Sequence, residues 1–364
     1  MKRVLFIGIT NYDFKEKLPS HLEKKFLGLS REINPYILAR GRPFHKKIWN
    51  SQFYLFKTRF FYWLFAFFAG FYLCLFKKID TIVAQSPLTE GCLGVFLKKI
   101  FRKELIVEVH GDWIEAVFLS KKRKFEKIQR KIVPILANFS LKRADKIRTI
   151  SEYLTQQSKK IVSDKSYFIF PTFTDLDMFL AEQDLEFKNY ILFVGVLEEV
   201  KGLDWLIESF GKIKAEYPDF KLIIVGQGSE QKNLESKIKS LELGERVEFK
   251  GKLSLKETKD IMKSCYCLVL PSRSEGLGRV IMEAQALSKP TIGSNVGGIP
   301  GLIKNGQNGF LFQPNRPEEL AEALRKLLKD KSLAIEMGKK GREFIRVNFS
   351  NERYIKNYIQ MIKL

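Results

Sequence analysis

The stretch "YCLVLPSRSEGLGRVIMEAQALSKPTIGSNVGG", residues 266–298, carries the pattern from which we predict the fold. The apolar run "YCLVLP" predicts a buried strand, "SRSEGLG" a loop, "RVIMEAQAL" a helix and "PTIGS" another strand. Parallel strands need a long crossover connection, and a helix of this length supplies one. The segment therefore predicts a β-α-β unit and an α/β protein.

The same alternation of apolar runs and helical patterns extends over the whole chain. The strands predicted in the first half are "RVLFIGI", "DTIVAQS", "ELIVEVHG", "KIRTIS" and "YFIFPTF". Those predicted in the second half are "YILFVGV", "FKLIIVGQG", "RVEFKGK", "YCLVLPS", "PTIGSNVGG" and "GFLF". We predict two doubly wound, Rossmann-like domains that face a shared cleft, where ligands bind at the carboxyl ends of the strands.

The domain boundary is expected in the polar, acidic stretch at residues 174–189. It separates an N-terminal domain, residues 1–180, from a C-terminal domain, residues 190–346. The last helix, about residues 350–364, is a candidate to pack on the first domain.

Composition places the chain among globular proteins, with 45% hydrophobic and 29% charged residues and a net charge of +22. Most of the basic excess lies in the first half, which suits an anionic partner such as nucleic acid, a membrane surface or an acidic substrate. The sequence contains no nucleic-acid-binding motif, and its aromatic residues are not interleaved with basic ones. We therefore expect no nucleic-acid partner.

Cysteine and histidine usage argues against disulfides and metals. Four cysteines in apolar surroundings and three histidines form neither a disulfide framework nor a zinc-ligand pattern. The start "MKRVLFIGITNYD" has an apolar run too short for a signal peptide and is expected to be the first strand. These features favour a cytoplasmic protein that needs no metal cofactor.

Two carboxylates flank the glycine-rich bend of the opening stretch. Glu275 lies in the loop and Glu283 lies about one turn into the following helix, so the two glutamates would bind different parts of one ligand. Carboxylates accept hydrogen bonds from the hydroxyls of a sugar or a ribose, and the helix start offers free N–H groups to phosphate. The candidate cations for those phosphates are Lys201, Arg273 and Arg279.

At this point the sequence resembles the retaining GT-B glycosyltransferases of glycosyltransferase family 4, also called glycosyl transferases group 1. The resemblance extends over "YILFVGVLEEVKGLDWLI", "FKLIIVGQGSE", "VEFKGKLS", the glutamate segment and "NGFLF", which together make up most of the second half. In the first half it is confined chiefly to "VEVHGD". It implies transfer of a sugar from a UDP- or GDP-sugar to a hydroxyl, with retained configuration and without a bound metal.

The resemblance implies that the N-terminal domain lies on the acceptor side and that the C-terminal domain binds the nucleotide sugar. It also implies roles for individual residues. Glu275 and His110 would act at the donor sugar, Glu283 would bind the ribose, and Lys201 would hold the diphosphate. The other implied donor-binding residues are Gly276, Leu277, Gly278, Arg279 and Arg273, and Gly251 and Lys252 would border the base. The sequence departs from the family at Val196, where a second phosphate-binding arginine is common, and at Gly301, where a glutamate is common.

The apolar run Phe60 to Phe76, flanked by Lys57, Arg59, Lys77 and Lys78, is at the lower limit of length for a spanning helix. We expect a helix that packs on the sheet and is partly exposed to lipid. Together with Lys46, Lys47 and the "KKRK" at 121–124, it would dock the first domain on anionic lipid.

The expected acceptor is then a lipid-linked sugar or a growing polysaccharide at the inner face of the cell membrane. The alternatives are a buried helix with solvated charges and, for function, a nucleotide-sugar epimerase of the same fold or a non-catalytic binding protein.

Overall fold

The computed structural model describes residues 1–12, 18, 20–41, 44–57, 61–111, 126–182 and 186–364. The chain forms two compact units. The first comprises Met1–Asp175 together with Asn351–Leu364, and the second comprises Leu176–Ser350. The chain thus passes from the first unit to the second at Asp175, inside the polar stretch, and most of that stretch belongs to the second unit.

The first unit is built on an eight-stranded sheet with the order β3-β4-β2-β1-β5-β6-β7-β8. The strands are β1 Arg3–Tyr12, β2 Asn34–Gly41, β3 Phe44–Ile48, β4 Ser51–Phe56, β5 Thr81–Ala84, β6 Glu104–Val109, β7 Lys146–Thr149 and β8 Ser166–Ile169. All pairings are parallel except β3 with β4. The helices are α1 Ser20–Ser30, α2 Tyr62–Phe76, α3 Thr89–Phe101, α4 Glu126–Arg143 and α5 Glu152–Lys159, followed at the other end of the chain by Asn351–Lys363.

All five strands predicted in the first half are present, but the sheet has three more. β2, β3 and β4 were not predicted, and they form one side of the sheet. The β3 and β4 segments, "FHKKI" and "SQFYLF", pair as a hairpin at the sheet edge. An edge strand is half solvated, so its sequence lacks the continuous apolar run of a central parallel strand.

The helix Asn351–Lys363 completes the core of the first unit. Its Tyr358, Met361 and Ile362 are buried in one hydrophobic cluster with residues of β1, β2 and β4 and with Phe26 of α1. Lys363 also binds Glu32 in an ion pair of 2.7 Å. A segment distant in sequence therefore covers one face of the first sheet.

The second unit has a six-stranded, wholly parallel sheet with the order β11-β10-β9-β12-β13-β14. Its strands are β9 Tyr190–Val194, β10 Lys221–Val225, β11 Val247–Gly251, β12 Cys267–Leu270, β13 Thr291–Ser294 and β14 Gly309–Phe312. All six strands that the sequence predicts are present. Its helices are α6 Asp177–Leu180, α7 Leu203–Ile213, α8 Gln231–Ser240, α9 Leu255–Ser264, α10 Arg279–Ala286, α11 Ile299–Leu302, α12 Pro317–Lys329 and α13 Lys331–Asn348; Asn351–Lys363 is α14.

The aromatic run of the first half forms α2, a helix of 15 residues. One side, with Tyr62, Ala66, Gly70, Leu73 and Cys74, is buried. Phe60, Arg59 and the "KKRK" at 121–124 lie outside the described residues. None of the helices in the described parts of the chain is both long and apolar enough to span a membrane. All four cysteines are free thiols.

Candidate functional site

The predicted site residues of the second unit gather at the carboxyl edge of its sheet. The chain leaves β9 for β10 on one side, and β12 lies against β9 on the other side. This reversal of strand order is the switch point at which open α/β sheets bind ligands. Lys201 follows β9 and Glu275 follows β12, so neighbouring strand ends bring the two residues together.

Lys201 and Glu275 bind each other directly. The ammonium Nζ of Lys201 donates to Oε2 of Glu275 over 2.7 Å. The buried Ser272 also donates its hydroxyl to that oxygen, at 3.4 Å. Both charged side chains are about one-fifth exposed, at 20% and 17%, so the pair is accessible from solvent. The sequence analysis assigned Lys201 to the diphosphate and Glu275 to the donor sugar, and it did not predict their contact.

Two glycines allow the loops of the site to come close together. Gly297 has φ +55, and a Cβ there would lie 1.9 Å from the carbonyl oxygen of Glu275. Gly202, next to Lys201, has φ +60, and its Cβ would lie 2.1 Å from the carbonyl oxygen of Pro271. Any larger residue would push the Lys201 or Glu275 loop away. The "KG" and "GG" pairs of the sequence are therefore required for the geometry of the ion pair.

The side chain of Arg273 is fixed by contacts with other residues of the second unit. Its two terminal nitrogens donate to the two carboxylate oxygens of Asp204, each at 2.8 Å, and one of them also donates to the carbonyl of Glu199. Its guanidinium lies 4.3 Å from the ring centre of Trp205. Burial alone would raise the pKa of Asp204, but the hydrogen bonds and charge of Arg273 lower it overall. This arrangement favours a structural role for Arg273, in fixing the Lys201 loop to the glutamate loop.

Glu283 and Arg279 lie on one side of helix α10, which begins directly after Gly278. Gly278 has φ +92, a conformation that favours glycine. Arg279 is the first helical residue, and its guanidinium donates to the Glu283 carboxylate over 3.1 Å. The Arg279 side chain is 62% exposed and that of Glu283 only 10%. Burial raises the pKa of Glu283, while the charge and hydrogen bond of Arg279 act against that rise.

The remaining predicted positions of the second unit lie along the same edge. Gly251 ends β11 with φ +64 and accepts a hydrogen bond from the backbone of Gly226, after β10. Lys252 follows and is exposed. Val196, at the place of the missing arginine, is 53% exposed and supplies no charge.

In the first unit, His110 follows β6 and is held by a buried carboxylate. His110 Nε2 lies 2.8 Å from Oε2 of Glu108. Arg148 and Tyr358 both donate to the other oxygen of Glu108, at 2.8 and 2.6 Å. Burial raises the pKa of Glu108, but Arg148 and the hydrogen bonds from His110 and Tyr358 outweigh it and hold the pKa well below its ordinary value.

Glu108 is therefore ionised and accepts only. Because an ionised carboxylate only accepts, Nε2 of His110 donates to Glu108, and Nδ1 is the ring nitrogen left for another partner. Sequence reasoning missed Glu108, Arg148 and Tyr358. A signal existed for Glu108, because residues two apart in a strand point to the same face. Nothing local in the sequence points to Tyr358, which is distant along the chain.

Among the described residues, no group of three or more His, Cys, Asp and Glu side chains is arranged to hold a metal ion. The arrangement at the edge of the second sheet offers acceptors for hydroxyls, a lysine for an anion and a helix start. Such a set suits a ligand that carries both an anionic group and hydroxyl groups.

The comparisons with known proteins identify the family. The pattern of the family described as "Glycosyl transferases group 1" matches residues 180–344. An uncharacterised glycosyltransferase of Methanocaldococcus jannaschii, MJ1178, is 30% identical over 282 residues, which cover 77% of this chain and 74% of that protein. The chain belongs to the group 1 glycosyltransferases.

A second relative is the N-acetyl-alpha-D-glucosaminyl L-malate synthase of Bacillus anthracis. It is 27% identical over 233 residues, which cover 61% of this chain and 60% of that enzyme.

Solved structures of similar fold cover the whole chain. Sucrose-phosphate synthase of Thermosynechococcus elongatus has a TM-score of 0.80 at 19% identity, with 100% of this chain and 98% of that chain covered. HepE of Anabaena, solved with UDP, has a TM-score of 0.73 at 19% identity, with both chains covered completely. The two Rossmann-like units are thus those of the GT-B fold.

Proposed function

We propose that this chain is a retaining glycosyltransferase of family 4 that moves a hexose from a UDP- or GDP-sugar to an acceptor hydroxyl. The acceptor we propose is a lipid-linked or polysaccharide glycan at the inner surface of the cell membrane, in polysaccharide biosynthesis. The observation that carries the proposal is the Lys201–Glu275 pair at the switch point of the second sheet, 2.7 Å apart and open to solvent.

The pair suggests how a donor would bind. The donor diphosphate would accept hydrogen bonds from the ammonium of Lys201 and from the N–H groups at the start of helix α10, around Gly276, Leu277 and Gly278. Glu275, released from Lys201 but still bound to Ser272, would accept hydrogen bonds from the sugar hydroxyls. The buried Glu283 would accept those of the ribose, each worth roughly 1.5–3 kcal/mol. Arg279 is free to add charge near the phosphates if it leaves Glu283.

The reaction breaks the bond between the anomeric carbon and the diphosphate oxygen and forms a bond to the acceptor oxygen. The acceptor's proton passes to the leaving phosphate, and attack from the same face retains the configuration. Lys201 and the helix N–H groups would stabilise the charge that develops on the leaving group. These groups would supply that stabilisation without a bound metal. His110 would act at the donor sugar through Nδ1, with its ring fixed by Glu108.

Relatives support the choice of donor. HepE was solved with UDP and with UDP-glucose, and the Bacillus anthracis relative is named N-acetyl-alpha-D-glucosaminyl L-malate synthase. UDP-sugars are therefore the first donors to test. The membrane location is supported by helix α2, whose outer side carries exposed Leu64, Phe68 and Phe76.

The test has two parts. Thermal unfolding is followed with UDP, GDP and their sugars; the correct nucleotide at about 100 times its Kd should add roughly 2.7 kcal/mol. Transfer of labelled sugar to extracted lipid or glycan is then measured for the wild type and Glu275→Gln. Labelled product with the wild type alone supports the proposal. Epimerised sugar formed without an acceptor would point to an epimerase, and no turnover with any donor would contradict transferase activity.

A further inference from the structure

Helices α2, α3 and α4 form one layer of the first unit. They connect β4 to β5, β5 to β6 and β6 to β7, which follow one another in the same direction across the sheet. Such crossovers are right-handed, so the three helices cover the same face. Ring contacts join α2 to α3, with Phe67 and Phe96 centred 5.1 Å apart. Ser140 of α4 donates to the carbonyl of Pro87, just before α3.

The outer side of this layer is apolar and exposed. We call it the outer apolar face, and it comprises Leu64, Phe68, Phe96, Ile100, Ile135 and Phe139. Each of these side chains is between 40% and 64% exposed. Scattered single apolar residues are ordinary on a surface, but a set that spans three packed helices marks a contact with an apolar partner.

A basic cavity adjoins this face. It has a volume of about 1010 Å³ and is lined by Phe139 and by the C-terminal ends of α3 and α4. Five of its cations, Lys99, Arg102, Lys103, Lys142 and Lys165, form no ion pair with any residue that the structure describes.

The two acidic residues that line the cavity already form ion pairs. Asp145 binds Lys98 at 2.5 Å, and Glu104 binds Lys146 at the same distance. The cavity is thus positive and offers its free cations to an anion. It lies where the helices end and the strands begin, at the edge of the sheet opposite His110, so it is separate from the site at the carboxyl ends of the strands.

We propose that the basic cavity is a binding site for the phosphate headgroup of an anionic phospholipid, and that the outer apolar face rests in the lipid beside it. This inference deepens the proposed action at a membrane surface and rests on it. Neighbouring apolar and cationic surfaces match the two parts of a phospholipid layer. A soluble polyanion would leave the apolar face uncovered. A second copy placed symmetrically on this face would bring two basic cavities toward each other.

The test is co-sedimentation of the full chain with phosphatidylcholine vesicles, with or without phosphatidylglycerol. Each lysine near an anionic surface changes binding about fivefold, so K99Q/K142Q/K165Q should bind anionic vesicles about a hundredfold more weakly. The matched control, K232Q/K239Q/K326Q, removes the same charge from exposed positions of the second unit and should bind as the wild type does. F68S/I135S should weaken binding to both kinds of vesicle.

The outcomes separate the two proposals. If the wild type binds anionic vesicles and the cavity variant binds equally well, the headgroup site is wrong and membrane action stands. If the wild type binds neither kind of vesicle, both fail, while stabilisation by UDP still reports on the transferase. A wild-type dimer that F68S/I135S converts to monomer would assign the apolar face to a second copy and overturn the inference. Stabilisation by UDP should be unchanged in all three variants, which shows that they are folded.

Discussion

Lys201 and Glu275 neutralise each other at the switch point of the second sheet, with Nζ and Oε2 2.7 Å apart. A diphosphate that enters this site must compete with Glu275 for the ammonium, and a sugar hydroxyl must compete with Lys201 for the carboxylate. A complete donor satisfies both partners at once, whereas a nucleotide diphosphate satisfies only Lys201. The pair would therefore favour a nucleotide sugar over the nucleotide product.

The first prediction separates the two members of this pair. Lys201→Met should weaken UDP binding about 10- to 100-fold, because it removes a charge-assisted hydrogen bond. Glu275→Gln should bind UDP as tightly as the wild type or more tightly, because it releases Lys201, yet it should not transfer sugar. Titration calorimetry with UDP and a transfer assay measure both effects. Equal weakening of UDP binding by the two substitutions would contradict this account.

The second prediction concerns the close approach at Gly297. Gly297→Ala places a methyl group 1.9 Å from the Glu275 carbonyl oxygen at a positive φ. We expect a loss of at least about 2 kcal/mol in the free energy of unfolding, from the left-handed backbone and the overlap. Gly301→Ala is the matched control. It has no neighbouring atom within 4 Å and lies in helix α11, where alanine should be neutral or stabilising by up to about 1 kcal/mol.

Denaturant unfolding of both alanine variants gives the comparison, and UDP binding shows whether the Glu275 loop has moved. Similar stability of Gly297→Ala and Gly301→Ala would show that the loop contact is not required.

The third prediction follows from the buried carboxylate of Glu108. Glu108→Gln should lower the free energy of unfolding by about 3–5 kcal/mol at pH 7, because Arg148 keeps its charge without a partner. The folded pKa of Glu108 is lowered, so its contribution is complete above the unfolded pKa of about 4.3 and declines as the pH falls below it.

The difference in the free energy of unfolding between the wild type and Glu108→Gln should therefore become smaller on acidification below about pH 4.3. Tyr358→Phe is the control, since it removes one hydrogen bond, costs about 1 kcal/mol and leaves the charge pair in place. Its pH dependence should match the wild type. A constant gap for Glu108→Gln from pH 7 to pH 3 would show that Glu108 is not ionised in the folded chain.

The fourth prediction uses the raised pKa of Glu283. Glu283 accepts ribose hydroxyls only when it is ionised, and burial raises its pKa. Nucleotide affinity should thus fall on acidification, beginning above the ordinary carboxylate range of about 4.3. Glu283→Gln should bind nucleotide more weakly at pH 7 and lose this pH dependence. Calorimetric titration from pH 7 to pH 4 measures the nucleotide affinity, and a wild-type affinity that does not change with pH would contradict ribose binding by ionised Glu283.

The sequence predicts the second unit better than the first for a physical reason. Most strands of the second sheet are short apolar runs followed by a glycine-containing or polar bend. The edge strand β11 instead alternates Val247 and Phe249 with Glu248 and Lys250, which is the period-two pattern of a half-solvated strand. In the first sheet, β3 and β4 form an edge hairpin whose strands are partly solvated, so the apolar signal is diluted. Both strands of the hairpin were missed as a result. The third missed strand, β2, is mostly buried, but its apolar run is only "YILA", between Pro35 and Arg40.

The site shows a similar division. Glu275 and Lys201 could be predicted because each lies beside a glycine in a loop after a predicted strand, and Glu283 because it lies in the helix that follows the Glu275 loop. Their partners could not, because the contacts of Arg273 with Asp204 and of Glu108 with Tyr358 depend on packing between segments 69 and 250 positions apart. A sequence pattern of period two or 3.6 carries no information on such pairs.

Helix α14 has a consequence for synthesis on the ribosome. Tyr358, Met361 and Ile362 belong to the core of the first unit, although the whole second unit is translated before them. Protein domains usually fold in the order in which they are made. Here the second unit is synthesised while the first still lacks part of its hydrophobic core. The first sheet therefore stays partly uncovered until helix α14 has left the exit tunnel.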